Sequence, residues 1–199
     1  SLANAAVVVV VCWDLANATI SGGATWNGSA MTEMWNSRET LTNRYGTAAW
    51  VLPVGTGDGS SHNAVVTFGL TASIVSISVQ SWGGVHQTTA FRTSSRTQFD
   101  VTSGSVSLTV ANAVGGDVIV DGLTGNQGAT TVTGTTLRHD LYDSGYNGDA
   151  RITSSATGSP MSYTFTTAET IGEFDAAPLI PAAAATTTRK HLTLLGVGQ

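Results

Sequence analysis

The sequence predicts an all-β protein built from antiparallel strands, on three observations. Apolar and polar residues alternate with period two in several segments, clusters of Gly, Asn, Asp and Ser interrupt them at short intervals, and no segment sustains a long 3.6-residue apolar period. Short strands punctuated this often make a sandwich or a barrel.

The elements follow in order. Residues 5–13 are the most apolar run and contain Val7, Val8, Val9, Val10 and Val11 in succession. An unbroken β-branched run predicts a core strand covered on both faces. It is far shorter than the ~20 residues a membrane helix takes, and no basic residue precedes it, so it has no signal-peptide start. The chain opens on Ser1 rather than Met, which reads as processing or as a chain that begins inside the gene product, and no leader is expected. Residues 30–35, 47–52 and 64–70 read as further strands. Val75, Ile77 and Val79, interleaved with Ser76, Ser78 and Gln80, predict a strand with its apolar set on the core and its polar set in solvent. Val106, Leu108 and Val110 repeat the pattern, as do Met161, Tyr163 and Phe165. Strands over 117–123, 137–141, 151–155 and 170–176 complete the series. Asn27-Gly28 is a two-residue hairpin turn, Pro53 ends a strand by removing a donor, and Asp117 opens one. Residues 37–43 suit a turn or one helical turn equally.

Composition bounds the partners. The chain has 199 residues, 8 Lys+Arg against 13 Asp+Glu, a net charge of −5 and only 11% charged residues. Its few basic residues are scattered, which excludes the clustered phosphate contacts of a nucleic-acid binder and electrostatic membrane attachment. Cys12 is the single cysteine, so no intrachain disulfide forms, and its apolar surroundings predict a buried thiol. Residues 1–177 form the predicted domain. Residues 178–199 change character: Pro178, Pro181 and an Ala/Thr run read as an extended linker. Arg189 and Lys190 then lead into an apolar peptide of Leu192, Leu194, Leu195 and Val197. That peptide must be covered, either as a last strand of its own domain or as an arm docked on a neighbour.

No reaction chemistry emerges. His62, His86, His139 and His191 are dispersed, and His139-Asp140 is an adjacent pair whose side chains oppose across a strand. No metal, cofactor or catalytic residue is assigned, and the chain reads as not an enzyme. Gly172-Glu173-Phe174-Asp175 resembles the start of the E-x-D-x-x-E strand of concanavalin-like β-glucanases, in which alternate carboxylates share one face. Pro178 stands where the third carboxylate is needed, so no glycosidase is expected. Asp143, Asn147 and Asp149 offer oxygen atoms in a glycine-containing loop, but without EF-hand spacing they read as an Asx-rich turn. Trp13, Trp26, Trp35 and Trp50 are assigned to the core. Trp82, at a strand end near His86, is the one expected to contact a glycan.

Several pieces then line up: 24–32 around Trp26-Asn27-Gly28, 49–53 around Trp50 and Pro53, 65–68, 116–121, and 160–165 around Met161 and Tyr163. In that order they resemble a broad group of Ser/Thr/Gly-rich β-sandwich proteins of tailed phages and environmental bacteria. The resemblance implies an antiparallel jelly-roll-like β-sandwich with an extended C-terminal tail, displayed on a virion or outside a cell, and it implies no reaction. The expectation is a structural virion protein, a capsid decoration, cement or fibre-associated subunit that forms a homo-oligomer and docks on a larger viral assembly. The alternative is a secreted carbohydrate-binding or adhesin module using Trp82 and His86.

Overall fold

The computed structural model describes residues 3–14, 19–69, 74–126, 131–133, 136–143, 148–155 and 161–183. Among the described residues thirteen strands are formed: β1 (Ala5–Asp14), β2 (Ile20–Trp26), β3 (Ser29–Ala30), β4 (Thr32–Arg38), β5 (Tyr45–Gly55), β6 (Ala64–Phe68), β7 (Ile74–Trp82), β8 (Ser95–Leu108), β9 (Val118–Gly125), β10 (Thr131–Thr133), β11 (Thr136–Asp143), β12 (Gly148–Ser155) and β13 (Met161–Leu179). Every strand pair is antiparallel, and no helix occurs among the described residues. The strands make a central sheet of order β4-β5-β1-β7, a six-stranded sheet of order β10-β13-β9-β12-β11 with β8 also on β13, and a small sheet β3-β2-β6.

The valine run places β1 at the middle of the stack. Val8, Val10 and Cys12 face the six-stranded sheet and pack in one core with Val120, Ala177 and Leu179. Val7, Val9, Val11 and Trp13 face the small sheet and pack with Ala24, Met31, Val66 and Phe68. A strand covered on both sides needs no polar alternation, which is why this segment reads as continuous. Each fully buried valine contributes about 1.5–3 kcal/mol relative to exposure.

Two turns set the edges of these layers. Asn27 and Gly28 both take positive φ, at 48° and 77°, and return the chain from Trp26 to Ser29, the left-handed pair that a two-residue hairpin requires. At residues 39–44 the connection between β4 and β5 is a turn organised by buried Glu39. Its carboxylate accepts from Thr42 N at 2.8 Å, Thr42 Oγ1 at 2.6 Å and Arg44 N at 2.7 Å. Burial pushes its pKa up, but these donors outweigh that and hold it below the usual carboxylate range.

Four expectations are corrected. On β7, Ser76, Ser78 and Gln80 are buried whereas Ile77 and Val79 are each 44% exposed. The register opposite β1 (Val79 with Val9, Ile77 with Val11) turns the apolar set toward the small sheet. That sheet packs over β4 and β5 and, on this outermost strand, reaches Val75 but leaves Ile77 and Val79 uncovered. Pro53 does not end a strand: it lies inside β5 opposite Ala6, past Val51, the last β5 residue paired with β4, so no ladder bond is lost there. Ser21-Gly22-Gly23, one of the Gly/Ser clusters expected to interrupt the strands, lies within β2, with an irregularity in its pairing between Ile20 and Ala24. The alternation at 161–165 and the strand at 170–176 are one strand, β13, which is broken in register between Phe165 and Glu169. Its first part folds over its second: the Tyr163 ring meets Phe174 edge-on at 5.0 Å, and Tyr163 Oη donates to Asp121 Oδ2 at 2.9 Å. A third core of Phe99, Val106, Leu108, Ile119, Leu123 and Met161 fills that fold.

Candidate functional site

Two groupings of polar side chains stand out, one closed and one open. The closed one is a seam between β4–β5 and β8–β13. Glu173 and Asp175 leave β13 on the same face, as alternate residues must. Asp175 Oδ2 accepts from Thr47 Oγ1 at 2.6 Å and Oδ1 from Ser37 Oγ at 2.9 Å, while Thr47 Oγ1 in turn accepts from Trp35 Nε1 at 2.9 Å. Arg96 grips Glu173 through Nε at 2.6 Å and Nη2 at 2.9 Å, and Nη2 also donates to the Arg38 carbonyl at 2.6 Å. Burial raises both carboxyl groups, Glu173 to about 7 and Asp175 to about 6, against the pull of Arg96 on Glu173 and of the Thr47 and Ser37 hydroxyls on Asp175. Two carboxylates beside one guanidinium share a proton more readily than they share two negative charges.

Among the described residues Ser37, Thr47 and Arg96 donate to the two carboxylates, and both are buried. The residues hold the two sheets together: β13 and β8 below are tied to Trp35, Ser37, Arg38 and Thr47 above. Two further arginine–carboxylate pairs repeat the device. Arg44 pairs with buried Asp14, and Arg92 with buried Asp117 at 2.7 and 3.2 Å.

The open grouping is a cavity of about 440 Å³ at the rim of the central and small sheets. Leu52, Val54 and Trp26 supply apolar wall, and Asn27, Ser29, Asp58 and His62 supply polar groups. His62 meets Trp26 edge-on at 5.6 Å between ring centres, and its Nε2 lies 2.9 Å from Asp58 Oδ2. Asp58 Oδ1 accepts from Ser60 N at 2.8 Å, and that bond, with His62, holds its carboxyl below the ordinary range. Among the described residues no Lys or Arg lines the cavity. It suits a neutral hydroxylated molecule with one apolar face and is unsuited to an anion.

The anticipated glycan contacts lie elsewhere. Trp82 is part-buried, packs on the core between the two large sheets and donates from Nε1 to Gln80 Oε1 at 3.1 Å. His86 Nδ1 accepts from Thr89 N at 3.1 Å in the following loop. Neither lines the cavity. Arg189, Lys190, Leu192, Leu194, Leu195 and Val197 lie outside the described residues, as does the centre of the loop between Asp143 and Asp149. Cys12 is fully buried. The cavity was not legible in the sequence, because Trp26 sits in a strand and reads as core, while Asp58 and His62 sit in a glycine-rich loop that reads as a turn. Neither a protein-family model, nor a curated protein, nor a solved structure matches the chain.

Proposed function

We propose that the protein is a non-enzymatic structural subunit of a virion, a jelly-roll-like decoration, cement or fibre-associated component that assembles with copies of itself and docks on a larger particle. One observation carries the reading: six acidic side chains are turned inward, and three of them are paired with arginines. Asp14, Glu39, Asp117, Asp121, Glu173 and Asp175 are buried, and Arg44, Arg92 and Arg96 are bound to three of them. In a chain only 11% charged, this leaves a hydroxyl-rich exterior with exposed Leu41, Val65 and Val114. Such a surface has little of the like-charge repulsion that keeps monomers apart, and it suits lateral packing by shape and hydrogen bonding.

A second reading is favoured by the cavity beside Trp26: a secreted carbohydrate-binding or adhesin module. Light scattering with a saccharide titration separates the two. The structural reading expects a mass several times 20.4 kDa, reduced toward the monomer in a chain ending at Lys190 whose sandwich stays folded. A monomer at every concentration, binding a neutral saccharide through a site lost in Trp26→Ala, contradicts it and favours the module.

A further inference from the structure

The cavity beside Trp26 is framed by two segments that hold each other in place. At the hairpin tip, Asn27 N donates to the Asn63 carbonyl at 3.0 Å, which ties the hairpin to the loop carrying Asp58 and His62. The start of that loop is fixed where Gly55 N donates to Gln87 Oε1 at 2.8 Å. The walls are therefore built by the fold, and the volume of about 440 Å³ falls within the range of small-molecule pockets.

Among the described residues Asp58 is the only carboxylate lining this cavity. It differs from the buried acids of the sheets, because 61% of its side chain is open to solvent. Its orientation is nevertheless set: Oδ1 accepts from Ser60 N at 2.8 Å, and Oδ2 lies 2.9 Å from His62 Nε2. An ionised carboxylate accepts about four hydrogen bonds, so each oxygen keeps acceptor capacity on its exposed side. His62 joins this carboxylate to the apolar wall, since its ring meets half-buried Trp26 edge-on at 5.6 Å between centres.

We propose that the cavity binds one ring of a neutral saccharide, with Asp58 accepting from two hydroxyls on adjacent ring carbons and the C–H face of the ring against Trp26, Leu52 and Val54. A sugar ring has an apolar face and a rim of hydroxyls, and it needs a site that offers both kinds of contact. The two oxygens of a carboxylate lie side by side, so they take a pair of neighbouring hydroxyls as they take the fork of a guanidinium. Asn27 and Ser29, both exposed at the hairpin, supply donors and acceptors for the remaining hydroxyls. An acidic sugar finds no cation among the described lining residues and meets the charge of Asp58 instead. This assignment rests on the carbohydrate-binding reading above and holds for a monomer or an oligomer alike.

Ligand-observed NMR on the full chain tests this, with the methyl glycosides of glucose, galactose and mannose and with glucuronic acid as probes. The expected result is saturable binding of at least one neutral glycoside, with glucuronic acid about tenfold or more weaker. Trp26 packs on the core under the small sheet, so the exposed Asp58 is the position to change. Asp58→Asn leaves the fold intact and should weaken the bound glycoside about tenfold or more, the loss of hydrogen bonds to a charged acceptor. Deoxy analogues of that glycoside should show similar losses at two adjacent carbons. Binding that Asp58→Asn leaves unchanged, or glucuronic acid held as tightly as the glycoside, overturns the assignment while the carbohydrate-binding reading stands. If none of the three glycosides binds at millimolar concentration, both fall.

Discussion

Replacing Arg96 with alanine is expected to destabilise the fold by about 3–5 kcal/mol, the cost of leaving a buried carboxylate without its partner. Glu173 is buried, both of its contacts with a cation come from the Arg96 guanidinium, and its other side-chain partner is the acidic Asp175, which cannot replace a cation. The loss should depend on pH in a defined sense. In the folded protein Glu173 and Asp175 hold protons up to about 7 and about 6, above their ordinary values of 4.5 and 3.8. A group whose folded pKa is raised contributes stability that is complete below the unfolded pKa and is lost as pH rises through the folded one. Unfolding by urea should therefore show the intact protein more stable near pH 5 than near pH 8, by roughly 2 kcal/mol for one shared proton. Glu39, held low by its backbone donors, acts in the opposite direction only in more acid solution. Arg96→Ala should be worse at pH 8 than at pH 5, because protonating Glu173 removes the unpaired charge. Equal losses at both values would show that Glu173 keeps its charge throughout.

The second large effect is expected at Gly46. This residue pairs with Trp13 across β1 and β5, and a Cβ there would enter the Trp13 indole and lie 2.8 Å from the Ser37 carbonyl oxygen. Trp13 is buried and packs edge-on against Phe68 at 5.8 Å, so the ring cannot swing away without opening the core beneath the small sheet. Gly46→Ala should cost about 3 kcal/mol, the upper end for overpacking, measured by urea unfolding. Gly57→Ala is the matched control: open space surrounds that position, and the change should stay within about 0.5 kcal/mol.

What the sequence made legible follows from what is local. The five valines of β1 and the Asn27-Gly28 turn carry their structural meaning in a few adjacent residues, and both fold as their chemistry dictates. Period two correctly put Glu173 and Asp175 on one face, but it is silent on which face is covered. That is why Ile77 and Val79 point outward on β7: parity is set by the partner strand and by what lies above it. The bend that makes one strand of 161–179 depends on a register break opposite β8, which no local pattern announces. The candidate sites are less legible still. Arg96 reaches Glu173 across 77 residues, Ser37 reaches Asp175 across 138, and Trp26 on β2 meets His62 from the loop that precedes β6. Such meetings are products of topology, and spacing in the chain gives no sign of them.

Acidic side chains act as braces inside the sheets, and native-state chemical labelling tests that directly. A carbodiimide coupling glycinamide to accessible carboxyl groups, mapped by mass spectrometry, should modify exposed Glu33, Asp58 and Asp100. It should leave Asp14, Glu39, Asp117, Asp121, Glu173 and Asp175 untouched until the protein is unfolded. Ready modification of Glu173 or Asp175 in the folded protein would mean that these carboxyl groups face an accessible cleft, and the structural reading would fail.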